Sequence, residues 1–72
     1  MITLYPNPAM QELVLQGDES IRSVNVFNML GQAQNIVRKE NNKLDISSLK
    51  SGTYLIDIKT EKQRAKSKFV KE

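Results

Sequence analysis

The stretch from Leu44 to Thr60 constrains the fold of this chain more than any other, reading Leu-Asp-Ile-Ser-Ser-Leu-Lys-Ser-Gly-Thr-Tyr-Leu-Ile-Asp-Ile-Lys-Thr. From Thr53 onward, Tyr54, Ile56 and Ile58 recur at period two with Asp57 and Lys59 pointing the other way, the pattern of a half-buried β-strand. Aromatic and β-branched side chains suit that pleated surface. The chain enters the strand through Ser51-Gly52, a turn signal whose glycine can adopt a positive φ. Leu49, Gly52 and Tyr54 thus form a Leu-x-x-Gly-x-Tyr pattern. A tyrosine just inside a strand, after a turn glycine, predicts the tyrosine corner of a Greek-key sandwich. In that corner the ring is core and the hydroxyl bonds back to the upstream backbone. The competing reading is an exposed tyrosine with a binding role.

The rest of the chain supplies partners for this strand. Ile2 to Tyr5 reads as a short apolar strand that ends at Tyr5-Pro6-Asn7-Pro8-Ala9, where two prolines remove two backbone donors. Leu13 and Leu15 alternate within a strand from Glu12 to Gln16, and Gly17 to Ser20 is a loop. Ile21 to Asn28 is a longer strand with Val24 and Val26 facing inward and Phe27 opposite. Asn28-Met29-Leu30-Gly31-Gln32 fits a type I turn closed by a left-handed glycine, which predicts a hairpin returning along Ala33 to Arg38. Glu40 to Lys43 is the next turn, and Leu44 to Ile46 a short strand. Ser47-Ser48-Leu49 is expected to form one helical turn capped by Ser47. After a reversal at Glu61-Lys62-Gln63, Arg64 to Lys71 closes the chain, with Arg64, Lys66 and Lys68 on one face and Ala65, Ser67 and Phe69 on the other.

Short strands at this spacing, separated by turns, argue for one all-β domain: a small Ig-like, Greek-key antiparallel β-sandwich of about seven short strands. At 72 residues the chain is near the lower limit for a single core. The start Met1 leads directly into a strand, which reads as an excised domain without its own signal peptide. No apolar run reaches the roughly 18 residues of a membrane-spanning helix.

The inventory for chemistry is thin. The chain has no Cys and no His, so it lacks thiolate ligands, disulfides and the commonest general base. Asp45 and Asp57 are the nearest carboxylates to the central strand, with Asp57 expected to be solvated or paired with a lysine. Gly17, Gly31 and Gly52 lie in three separate turns and cradle no phosphate. No catalytic residue, metal site or cofactor is expected, and the chain is not read as an enzyme.

Charge is uneven. Residues 1–58 carry five Lys/Arg and six acids, whereas residues 59–72 carry six and two, so the net charge of +3 comes wholly from the last stretch. Clustered lysines admit a nucleic-acid reading. Phe69, the single aromatic of that stretch, lies opposite the lysine row, and the body is acidic, so nucleic acid is not the expected partner. A solvated edge strand guarded by lysines is the plainer reading. Recognition by a protein partner is the functional one.

Four blocks carry a resemblance that covers essentially the whole chain in order. They are Leu4-Tyr5-Pro6-Asn7-Pro8-Ala9, Val24 to Gln32 with Gly31 near its end, Leu44 to Tyr54, and Lys66-Ser67-Lys68-Phe69-Val70-Lys71-Glu72. Together they resemble the type A C-terminal sorting domain of the type IX secretion system of Bacteroidetes. Lys50 departs from the pattern, standing where the family often has proline. The resemblance implies a sorting signal at the end of a larger secreted cargo protein, with Glu72 as the true C-terminus. It implies transit through the periplasm and recognition by the outer-membrane translocon and its shuttle proteins. Delivery to the cell surface or the medium would follow, with removal by a sortase-like peptidase that cuts upstream of this fold.

Lys66, Lys68, Phe69, Val70, Lys71 and Glu72, with Leu49, Ser51 and Gly52 of the preceding loop, are the residues expected to meet the translocon. Tyr5, Pro6, Asn7, Pro8, Gly31, Gly52 and Tyr54 are expected to be structural. No membrane insertion is expected, and the chain is read as a monomer or a weak strand-exchanged dimer. The alternative is an accessory Ig-like module that binds glycan or protein. With no Trp, and with Tyr5 and Tyr54 expected to be buried, the aromatic platform for a glycan is poor.

Overall fold

The computed structural model describes residues 2–6, 9–17 and 20–72. Among these residues seven strands run in order: β1 (Thr3–Tyr5), β2 (Glu12–Gln16), β3 (Ile21–Phe27), β4 (Val37–Lys39), β5 (Lys43–Asp45), β6 (Gly52–Thr60) and β7 (Arg64–Lys71). They form a four-stranded sheet ordered β1-β2-β5-β4 and a three-stranded sheet ordered β3-β6-β7, with every strand pair antiparallel. Four strands facing three in this order is the seven-stranded immunoglobulin constant arrangement, a β-sandwich.

The sandwich closes because each sheet turns one alternating row inward. Leu13 and Leu15 of β2, Leu44 of β5, Val26 of β3, and Tyr54, Ile56 and Ile58 of β6 are all buried, together with Phe69 of β7. Ala9, Ile46 and Leu49 fill the core from the connections, and Leu4, Ile21, Val24 and Ile36 pack against it. The strand expected at Thr53 to Thr60 is thus the centre of the smaller sheet. Its tyrosine corner forms as expected: the Tyr54 ring is buried and its hydroxyl donates to the Lys50 carbonyl at 2.6 Å.

Turn chemistry accounts for the hairpins. Gly31 sits at φ +84°, and its N–H meets the Asn28 carbonyl at 3.0 Å. The Asn28 side chain also accepts the Leu30 and Gln32 amides, at 3.0 and 2.9 Å, so one asparagine organises the whole turn. The β6–β7 reversal needs no glycine, because the Thr60 hydroxyl takes the amides of Lys62 and Gln63 at 3.3 and 3.1 Å.

Several expectations need correction. The return strand from Ala33 to Arg38 does not form. Only Ala33 bridges Phe27, with the Gln34 amide on the Val26 carbonyl at 2.8 Å. The chain then leaves for the other sheet, where β4 pairs with β5. The physical reason lies in its pattern: Ile36 packs on the core while Val37 stays exposed, so no alternating apolar row holds it to β3. Ser47 does not act as the cap either. The Asp45 carboxylate accepts both the Ser47 amide (2.9 Å) and the Ser47 hydroxyl (2.6 Å), being the stronger acceptor of the two side chains. Tyr5, expected inside, is 44% exposed, because Leu4 takes the inward position of β1 and its neighbours therefore face outward. Asp57 pairs with Arg64 rather than with a lysine: Arg64 Nε stands 3.6 Å from its Oδ1, an ionic contact too long for a hydrogen bond.

Candidate functional site

Strand direction gathers the four sequence blocks at one end of the sandwich. In the smaller sheet, β6 begins where β3 and β7 end: Phe27 pairs with Leu55, and Gly52 with Lys71. The Asn28–Gln32 turn, the Ser47–Gly52 loop and the chain end therefore share one rim. The Ser48 hydroxyl reaches the Asn35 carbonyl at 3.4 Å, joining the loop to the segment after the turn.

The β1–β2 connection arrives at the same rim. Ala9 is completely buried and forms a parallel bridge with Lys71. Its amide donates to the Val70 carbonyl at 2.7 Å, and its carbonyl accepts the Glu72 amide at 2.8 Å. Two residues later, the Gln11 carbonyl takes the Ile46 amide at 2.9 Å. The last residues of the chain are thus clamped between Gly52 on one side and Ala9 on the other.

Below this rim an aromatic pair fixes the terminal strand. Tyr54 and Phe69 stand opposite each other on β6 and β7, with ring centroids 5.6 Å apart and planes 22° from parallel. Phe69 is fully buried, so its role in the folded chain is to anchor β7. Lys71 follows on the same inward row and is only 9% exposed. Its stem is covered while its ammonium donates to the Glu72 oxygen at 3.0 Å.

Alternation divides the expected contact residues. Lys66, Lys68, Val70 and Glu72 are exposed, as are Ser51 and Gly52 at the mouth of β6, whereas Phe69, Lys71 and Leu49 are buried. Gly52 holds φ +153°, a backbone region that strains any other residue. Pro6 is exposed and follows Tyr5 through a cis peptide bond, while Asn7 and Pro8 lie outside the described residues. Beside the chain end, Pro6, Met10, Gln11 and Glu72 line a shallow cleft of about 480 Å³.

The loop at this rim carries one perturbed acid. The side-chain and backbone hydrogen bonds from Ser47 hold the Asp45 carboxyl below the usual carboxylate range, with Lys39 adding a smaller pull in the same direction. Among the described residues, no group of three or more acids, histidines or cysteines could hold a metal ion, and no helix is long and apolar enough to cross a membrane.

The places of two residues in the rim were not legible in the sequence, although Ala9 closes the first of its blocks. Ala9 carries no periodic signal, being one small residue after a Pro-Asn-Pro run. Met10, 64% exposed beside it, belongs to no strand.

No curated protein and no solved structure matches the chain. The family model described as the secretion system C-terminal sorting domain matches residues 3–72, so the chain belongs to the type IX secretion C-terminal sorting domains.

Proposed function

We propose that the rim formed by the β1–β2 connection, the Ser47–Gly52 loop and the end of β7 is the surface by which the type IX translocon and its shuttle proteins recognise this domain. The observation that carries this reading is the convergence of the sequence blocks on the chain end, where Ala9 and Gly52 flank Lys71. The exposed residues Lys66, Lys68, Val70, Glu72, Ser51 and Gly52 make the contact. Phe69, Lys71 and Leu49 hold them in place from beneath. Tyr54 and Gly31 set the turns around the rim.

In this reading, residues 1–72 are one sorting unit at the C-terminus of a secreted cargo protein. The unit passes through the periplasm and directs its cargo across the outer membrane to the cell surface or the medium. It is the substrate of a sortase-like peptidase, which cuts upstream of the fold, and is not itself a catalyst.

The test is a reporter fused ahead of these residues behind a signal peptide, in a bacterium with the type IX system. Removing Lys68 to Glu72 is expected to abolish export. Because Phe69 is core, that deletion also threatens the fold, so Lys68→Glu with Val70→Glu serves as a second variant. Both side chains point outward, which leaves Phe69 and the β6 pairing intact. Normal export of a folded reporter carrying this pair would sink the proposal.

A further inference from the structure

The three-stranded sheet has two edges, and they are finished differently. On β3 the Arg38 guanidinium donates to the Ile21 and Arg22 carbonyls at 2.8 and 3.4 Å, and the Gln34 amide takes the Val26 carbonyl at 2.8 Å. On β7 the backbone bonds that Ala9 makes to Val70 and Glu72 show that even-numbered residues turn their N–H and C=O outward. The same alternation presents the backbone groups of Arg64, Lys66 and Lys68, where no strand among the described residues meets them.

The side chains beside this vacant edge follow a pattern. Arg64, Lys66 and Lys68 stand on the outer face, across from Lys59, Asp57 and Leu55 of β6. Four cations there face a single carboxylate, Asp57, which Arg64 already engages. Behind the edge, Ala65 is half-buried and Ser67 is exposed although both belong to the inward row, so the larger sheet does not cover them.

The geometry points to a docking site for one kind of partner: an extended protein segment, acidic at every second residue and apolar between, that adds as a strand to β7 along Arg64 to Lys68. Backbone pairing supplies the affinity and the alternating side chains the selectivity. The acidic row lies against Arg64, Lys66 and Lys68, and the apolar row covers Ala65 and Ser67. The lysines repel basic strands, including β7 of a second copy, which disfavours self-pairing at this edge. The inference rests on β7 as the element that is read. It shares Lys66 and Lys68 with the proposed contact surface and extends it back to Arg64, and it is tested in solution, apart from export.

The probe is the synthetic peptide Glu-Val-Glu-Val-Glu-Val-Glu, titrated into the isotope-labelled 72-residue chain and followed by amide shifts and hydrogen exchange. Saturable binding is expected, with slowed exchange at the Lys66 and Lys68 amides. Lys66→Pro removes an outward donor without touching the β6 pairing and is expected to weaken binding at least tenfold. If that variant does not fold, Lys66→Gln with Lys68→Gln keeps the backbone and is expected to weaken binding about tenfold. Lys66→Glu with Lys68→Glu is expected to switch preference to the corresponding Lys-Val peptide. A peptide of the same composition, with its acidic and apolar residues in two separate blocks, would overturn the strand geometry by binding equally well. A sulfated polysaccharide that binds without amide protection, while the peptide gives none either, would make the face a plain polyanion site. Absence of saturable binding would leave the lysines as a solvent guard and overturn the proposal.

Discussion

The contrast between the two edges of the smaller sheet teaches how a 72-residue chain separates protection from presentation. The β3 edge is closed by its own chain, with Arg38 and Gln34 taking carbonyls that another strand could otherwise use. Among the described residues, the β7 edge is closed only at its last residues, by Ala9, and elsewhere carries charge instead of cover. An edge whose carbonyls are already taken has little to offer a second strand. An edge guarded by lysines refuses most strands and leaves room for one of opposite charge.

The largest way to break this contrast is to remove what holds β7 down. Phe69→Ala is expected to cost about 3–5 kcal/mol, since a fully buried ring is lost from a small core. Chemical unfolding measures it, and a loss below about 1 kcal/mol would mean that the Tyr54–Phe69 pair does not anchor the strand. A smaller change opens the opposite edge. Arg38→Ala removes the covers over Ile21 and Arg22 and, because the guanidinium is exposed, is expected to cost only about 0.5–1 kcal/mol. Sedimentation should then show dimer growing with concentration, and a variant as monomeric as the parent would remove Arg38 from the account of edge closure.

The smallest effect sharpens the rim itself. The Asp45 carboxylate is held below its ordinary range by Ser47, so the ionised form is the one the fold favours. Its contribution is therefore full above the ordinary carboxylate range and fades as pH falls through the depressed value. Asp45→Asn is expected to lower stability slightly at neutral pH and to flatten the acid limb of the stability curve. An unchanged acid limb would show that the Ser47 contacts carry no linkage.

What could be read from the sequence was what is local. The Tyr54 corner, the Asn28–Gly31 turn and the inward rows of β2 and β6 all follow from spacings of a few residues, and all formed. What escaped depends on contacts distant in sequence. β4 switches sheets because a three-residue strand with one apolar side chain carries no signal of its partner. Tyr5 is exposed because Leu4 takes the inward position beside it, and an all-apolar run such as Ile2 to Tyr5 does not show which face is core. Of the rim, the identities of the blocks were legible, and so was the row that turns Lys71 inward, but not that Ala9 joins the chain end.

The Ala9 bridge also has a mechanical meaning. Ala9 bridges Lys71 in parallel, so tension applied between the two ends of the chain pulls the two residues in opposite directions along the chain. The bonds at 2.7 and 2.8 Å are then loaded together, in shear, rather than one after another as in an unzipping hairpin. A weight pulling ahead of Thr3 against a grip on Glu72 would load this latch together with the β1–β2 pairing that precedes it.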